Sequence, residues 1–194
     1  LNQLEPGDDV WAILEANRHA PEQDVRAAVA EAMEQYWPRA KEHLIGFTRD
    51  SHWKVRLAAV DVLGKKNDDS LSSLLVEAAE DCAVDVRVAA VRKLGRFRTE
   101  ESYGALSRGL KDHSWTVRFS SLMAMTNFGS RALPVAQGLL QSTRSSDRYA
   151  GLQMLEALGL PETIEPIRQA AMAWDDDSLT GEVNRVIANL SKGQ

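Results

Sequence analysis

The chain has 194 residues, enough for one domain or two small ones with a sizeable core. With 44% apolar and 26% charged residues it has the make-up of a globular protein, while a net charge of -5 and a pI near 5.4 argue against a duplex-coating protein. The lone cysteine, Cys82, excludes a disulfide framework and a cysteine-based zinc cage, and fits a reducing, cytoplasmic setting.

In chain order the sequence divides into units of about thirty residues, approximately 1–36, 37–64, 65–95, 96–128, 129–158 and 159–190, read together as one repeat domain over 1–194. Arg26, Arg56, Arg87, Arg118 and Arg148 anchor the first five at spacings of 30, 31, 31 and 30. Val25, Val55, Val86 and Val117 precede the first four arginines, and Asp147 the fifth. Asp50, Asp81 and Asp112 each stand six residues before their arginine, where Ala20 replaces the aspartate in the first copy and Ser142 in the fifth.

In the second and third copies, apolar positions at spacings of three and four predict helices over Trp53–Leu63 and Ser70–Glu80. Gly64 and Gly95 are expected to stop their helices in the left-handed conformation. The turn "KKNDDS" (65–70) offers Asp69 or Ser70 as the next cap. Pro38, Pro134 and Pro161 fall near predicted helix starts. The tail from Asp176 to Leu190 is expected to form a last, atypical helix closing the stack. No stretch reads as a strand or a membrane span, and no basic start followed by an apolar run marks a signal peptide, although the chain opens on Leu1 rather than Met.

The pattern D-x5-R-x-x-A, preceded by valine and closed by Leu-Gly at 63–64 and 94–95, resembles HEAT repeats of the phycobilisome-lyase type over about residues 20–190. The resemblance implies an all-α, right-handed α-α superhelical solenoid of about five helix pairs plus a terminal helix. It also implies that Asp50, Arg56, Asp81, Arg87, Asp112 and Arg118 form a structural ladder pinning neighbouring units, not a catalytic array.

At about 100° per residue, Val55, Ala58, Ala59, Val62 and Leu63 share one arc, as do Val86, Ala89, Ala90 and Leu94. The opposite arc holds Trp53, Leu57, Val60 and Asp61, then Val84, Val88, Val91 and Arg92. The same slots hold Trp115, Phe119, Leu122 and Met123, then Ser145, Tyr149, Leu152 and Gln153. Solenoids of this family line their concave surface with second helices, so Leu57, Val88, Phe119 and Tyr149 are expected to form a stripe there. Trp53, Leu57, Asp61, Val88, Arg92, Trp115, Phe119, Met123, Tyr149 and Gln153 become candidate protein-binding residues, because aromatic side chains, Met and Arg are enriched at interfaces. The bland alternative is that these residues fill gaps between repeats. Trp11, Trp37 and Trp174 are read as packing residues.

The expected function is a non-catalytic scaffold for a protein or peptide, without cofactor, metal or membrane, its oligomeric state left open. His19, His43, His52 and His113 form no H-x3-H pair, Cys82 lies between Asp81 and Asp85, and no G-x-S-x-G or phosphate loop occurs. The resemblance carries two alternatives. One is a bilin lyase or chromophore-handling subunit, with Arg92 meeting a propionate. The other is binding of damaged DNA, for which the basic cluster Lys65, Lys66, Arg92, Lys93, Arg96 and Arg98 is the candidate and the acidic balance the counter-argument.

Overall fold

The computed structural model describes residues 7–66, 68–174 and 177–192. Every regular element among the described residues is helical, with short 3-10 turns between α-helices. The chain divides into two compact units, Leu1–Ala105 and Leu106–Gln194.

The first unit contains α1 (Asp8–Asn17), α2 (Gln23–Ala32), α3 (Lys41–Phe47), α4 (Trp53–Leu63), α5 (Ser72–Ala78) and α6 (Val84–Leu94). The division falls within α7 (Glu100–Gly109). Helices pair in order, α1 on α2, α3 on α4 and α5 on α6, and α4 also packs along both α2 and α6. Val55, Ala58, Ala59, Val62 and Leu63 of α4 close against Leu44 and Phe47 of α3 and Val29 and Ala30 of α2 in one apolar cluster. An isolated pair could not bury such a face alone; stacking does so.

Helix α4 spans the residues that the periodicity predicts. The outward arc needs correction at one slot, because Val60 and Val91 are fully buried. A second helix touches its own partner and its neighbours in the row, so its buried arc is wider than one contact requires. Neither Gly64 nor Gly95 is left-handed; both continue right-handed from the helix. Gly64 answers a different need, since a Cβ there would stand 2.3 Å from Cγ of Lys93. The segment expected to be helical from Ser70 begins as a 3-10 turn (Asp69–Leu71) before α5. Its cap is Asp68, whose carboxylate accepts from the Ser70 amide at 3.1 Å, and not Asp69 or Ser70.

The second unit contains α8 (Trp115–Met125), α9 (Leu133–Leu140), α10 (Ser145–Leu158), α11 (Ile164–Met172) and α12 (Thr180–Lys192). Helix α9 packs on α10 and α11 on α12, while α10 contacts both α8 and α12. Leu122 and Leu152 are buried, repeating the correction made for Val60 and Val91. Close approach of α9 and α10 needs Gly151, where a Cβ would lie 3.0 Å from both the Ala136 carbonyl oxygen and Leu139 Cβ. The left-handed glycine expected of helix stops occurs at Gly159, with φ 64°, closing α10. Pro134 and Pro161 stand in first turns, and Pro38 precedes α3. The expected last helix is α12, and α11 precedes it in the same unit. Leu1, Asn67 and Asp176 lie outside the described residues.

Candidate functional site

Each repeating arginine fastens the loop in front of its own helix. Nη1 of Arg26 donates to the carbonyls of Ala20 and Pro21 at 2.8 and 3.0 Å, and Arg56 does the same to Asp50 and Ser51 at 2.9 and 3.2 Å. Arg87 binds the carbonyls of Asp81 and Cys82, Arg118 those of Asp112 and His113, and Arg148 that of Ser142. This clamp uses backbone carbonyls, so it survives where Ala20 and Ser142 replace aspartate.

The aspartates do two things. Asp50, Asp81 and Asp112 accept the amide two residues on, from His52, Ala83 and Ser114, fixing the turn into the second helix. Asp50 also takes a two-pronged ion pair from Arg26 of the preceding repeat, both contacts at 2.8 Å. Asp81 takes one from Arg56 at 2.6 and 2.7 Å. The Arg26 guanidinium holds the Asp50 carboxyl below the usual carboxylate range. Burial alone would push Asp81 up, but Arg56 and the Ala83 amide outweigh it and the net direction is down.

In the first unit a groove of about 780 Å³ opens between α2 and α4. Its floor is Ala27, Ala28, Leu57, Ala58 and Val62, and Trp53 stands at the α4 N-terminus with 36% of its surface exposed. His52 caps α4, accepting from the Lys54 amide at 3.3 Å, and stacks against Trp53 with ring centroids 6.1 Å apart. Asp24, Glu31, Glu34 and Asp61 supply carboxylates to the lining, and Lys54 and Lys65 ammoniums. Lys54 pairs with Asp24 at 2.8 Å and Lys65 with Glu34 at 2.7 Å, and these contacts hold both carboxyls below their ordinary values.

Trp53, Leu57 and Asp61 therefore meet in one groove. The α2 wall was absent from the sequence expectation, although its signal was present. The arginine register carried back one copy from Trp53, Leu57 and Asp61 gives Gln23, Ala27 and Glu31. On α6, Val88 is half-buried and Arg92 exposed.

In the second unit Trp115 and Phe119 stack in parallel on α8, ring centroids 5.0 Å apart and planes 9° apart. Trp115 is 51% exposed, and Tyr149 on α10 is 40% exposed. Phe119 and Met123 are half-buried. Gln153 does not present its amide outward, because Nε2 donates to Glu182 on α12. Arg185 joins this network, gripping Glu156 at 2.8 Å. Trp11 is buried, and Trp37 packs against the first unit's core. Trp174 donates to the Leu140 carbonyl at 3.0 Å, with the Arg148 guanidinium over its ring.

Members of the basic cluster have partners in the fold. Lys66 donates to the Glu34 carbonyl, Arg96 to the Gly64 carbonyl, and Lys93 approaches Asp61 at 3.6 Å. His43 pairs with Glu15 at 2.8 Å. No three His, Cys, Asp or Glu side chains gather as a metal site among the described residues, and no described helix is long and apolar enough to cross a membrane.

Stacked helix pairs with side-by-side second helices define a helical-repeat scaffold of the HEAT and armadillo kind. The sequence matches HEAT repeats over residues 11–85 and 72–156, and the chain belongs to that family. No curated protein sequence matches it. Among solved structures it is similar to YibA of Escherichia coli, at 17% identity and TM-score 0.67, over 99% of this chain and 72% of that one. A computationally designed armadillo repeat protein for modular peptide recognition aligns at 14% identity and TM-score 0.54, over 93% and 98% of the two chains. The CpcE–CpcF complex of phycocyanin lyase from Nostoc sp. aligns at 16% identity over 98% and 96%, with a TM-score of 0.46. These likenesses are of fold alone.

Proposed function

We propose that this chain is a non-catalytic adaptor whose second-helix faces, the concave lining of such solenoids, hold a protein or peptide. The observation that carries the reading is where large apolar groups remain in water. Trp53, Val84 and Trp115 occupy the same slot, three residues before the repeating arginine, and are 36%, 39% and 51% exposed. Tyr149 adds a fourth exposed group on a second helix. Such rings offer large, rigid contact area and are the side chains that dominate interface energies. In each unit the exposed groups sit on rigid helices locked by the arginine clamps, so little ordering entropy would be lost on binding. The designed peptide-recognition protein of similar fold supports the same reading by analogy.

Selection from a random peptide-display library on the immobilised protein tests this. Enriched sequences should lose binding to Trp53→Ala, or to the Trp115→Ala, Phe119→Ala double variant, with helicity unchanged. Failure to enrich any sequence, or enrichment indifferent to all three substitutions, would overturn the adaptor reading.

A further inference from the structure

We propose that α8 and α10 hold an acidic segment of the partner, one Asp or Glu pairing with the Arg118 guanidinium while an apolar neighbour rests on Trp115. This rests on the adaptor reading and adds the chemistry of the partner. Within the first unit the repeating arginines are filled. Nε and Nη2 of Arg26 take both oxygens of Asp50, and those of Arg56 both oxygens of Asp81, at 2.6 to 2.8 Å. Arg118 differs. Its Nη1 fastens the carbonyls of Asp112 and His113 as in the other copies. The slot from which the next repeat would supply a carboxylate, however, holds Ser142. Nε and Nη2 of Arg118 therefore have no hydrogen-bond partner among the described residues, and no described carboxylate forms an ion pair with it.

The loop facing Arg118 in the ladder register does not replace that charge. Ser142 copies only the turn, its Oγ accepting the Arg144 amide at 3.2 Å. Asp147, the one acid in the segment 141–148, accepts from Ser142 Oγ at 2.8 Å and from Arg144 Nε at 2.9 Å. Arg148 donates to the Ser142 carbonyl and lies over the Trp174 ring, with no carboxylate partner among the described residues. Three guanidiniums thus stand against one carboxylate, which attracts a further negative charge. The two free N–H groups of Arg118 form the planar fork that a carboxylate fits best. Arg118 is half-buried, so the fork is shielded yet open to approach. Trp115 and Phe119 stand three residues before it and one after it on α8, so Trp115 is its neighbour on the helix surface. Tyr149 of α10, 40% exposed, extends the apolar area.

The test uses the whole chain and a display library of random nine-residue peptides, selected on the wild-type protein and depleted on the Trp115→Ala, Phe119→Ala double variant. Surviving sequences should be enriched in Asp or Glu beside an apolar residue. The strongest, synthesised with an amidated C-terminus, is then titrated by calorimetry. Changing its acid to the amide should weaken binding at least about tenfold, as should raising salt from about 0.05 to 0.5 M. Arg118→Gln should bind the acid and amide forms alike. Ser142→Asp leaves Arg118 in place and fills its fork from within, so it should bind at least about tenfold more weakly than Ser142→Asn. Should Arg118→Gln fail to fold by circular dichroism, the Ser142 comparison decides alone. Survivors without an acid, a preference for the acid form that persists in Arg118→Gln, or equal binding by the two Ser142 variants each overturns the proposal and leaves the adaptor reading standing. An empty selection would remove both.

Discussion

Replacing Arg56 by Ala tests the ladder where it is most enclosed. Arg56 donates to both oxygens of Asp81 at 2.6 and 2.7 Å, to two loop carbonyls at 2.9 and 3.2 Å, and to Cys82 Sγ at 3.3 Å. The side chains of Arg56 and Asp81 are each only 11% exposed. Without the guanidinium, Asp81 keeps the Ala83 amide at 2.8 Å and the Cys82 thiol at 3.5 Å, with no counter-ion in that pair. Breaking a buried pair from one side costs about 3–5 kcal/mol, because the remaining charge stays desolvated. The exposed pair Arg49–Glu77, with side chains 70% and 68% exposed, sets the reference, and Arg49→Ala should cost about 0–1 kcal/mol. At roughly 2–4 °C per kcal/mol for a chain of this size, Arg56→Ala should lower the thermal midpoint by roughly 6 °C or more. Urea unfolding followed by circular dichroism gives the free energies. A double-mutant cycle with Asp81→Ala isolates the pair. A cost for Arg56→Ala within about 1 kcal/mol of that for Arg49→Ala would refute the reasoning.

Acid should find the same joints. The carboxyls of Asp50 and Asp81 lie below their ordinary value in the fold, so their contribution is complete above about pH 4 and fades as pH falls through the depressed values. An Arg26→Gln, Arg56→Gln variant should show a flatter fall of stability in that acid range, and an unchanged slope would count against the ladder. Gly151→Ala should destabilise by about 1–3 kcal/mol, since its Cβ meets backbone and side chain at 3.0 Å. Gly138→Ala, with nothing within 4 Å, should instead stabilise by about 0.5–1 kcal/mol, both read by urea midpoints. In single-Trp variants, acrylamide should quench Trp115 far faster than Trp11, in keeping with 51% against 7% exposure, and equal rates would contradict the exposed stacked pair.

The arginine register made the second helices legible. It locates α4 to the residue and puts Val55, Ala58, Ala59, Val62 and Leu63 on the core side, because core contacts repeat with the units. Three kinds of feature escape it. The burial of Val60, Val91, Leu122 and Leu152 depends on neighbouring helices, and a wheel drawn for one helix has no neighbours. Gly64 looks like a helix stop, yet it is a point of close approach to Lys93, in the next copy of the repeat but adjacent in space. Gln153 reads as an outward polar group because Glu182, its partner, lies in the least regular copy. The groove was half legible, since the Trp53 wall carries large residues while the α2 wall is marked by alanines, which draw no attention in a search for anchors.

The arginine clamps divide the connections of the chain into two sorts. Loops at 18–22, 48–52 and 79–83, within a helix pair, carry carbonyls or aspartates held by guanidinium groups at fixed reach. The described residues of segments 64–71, 126–132 and 159–163, between pairs, lack the paired-carbonyl clamp of the repeating arginines, and the Gly64 carbonyl takes a single contact from Arg96. Insertions or grafted peptides should therefore be accepted at the second sort and rejected at the first, so that new sequence can accumulate between helix pairs and not within them.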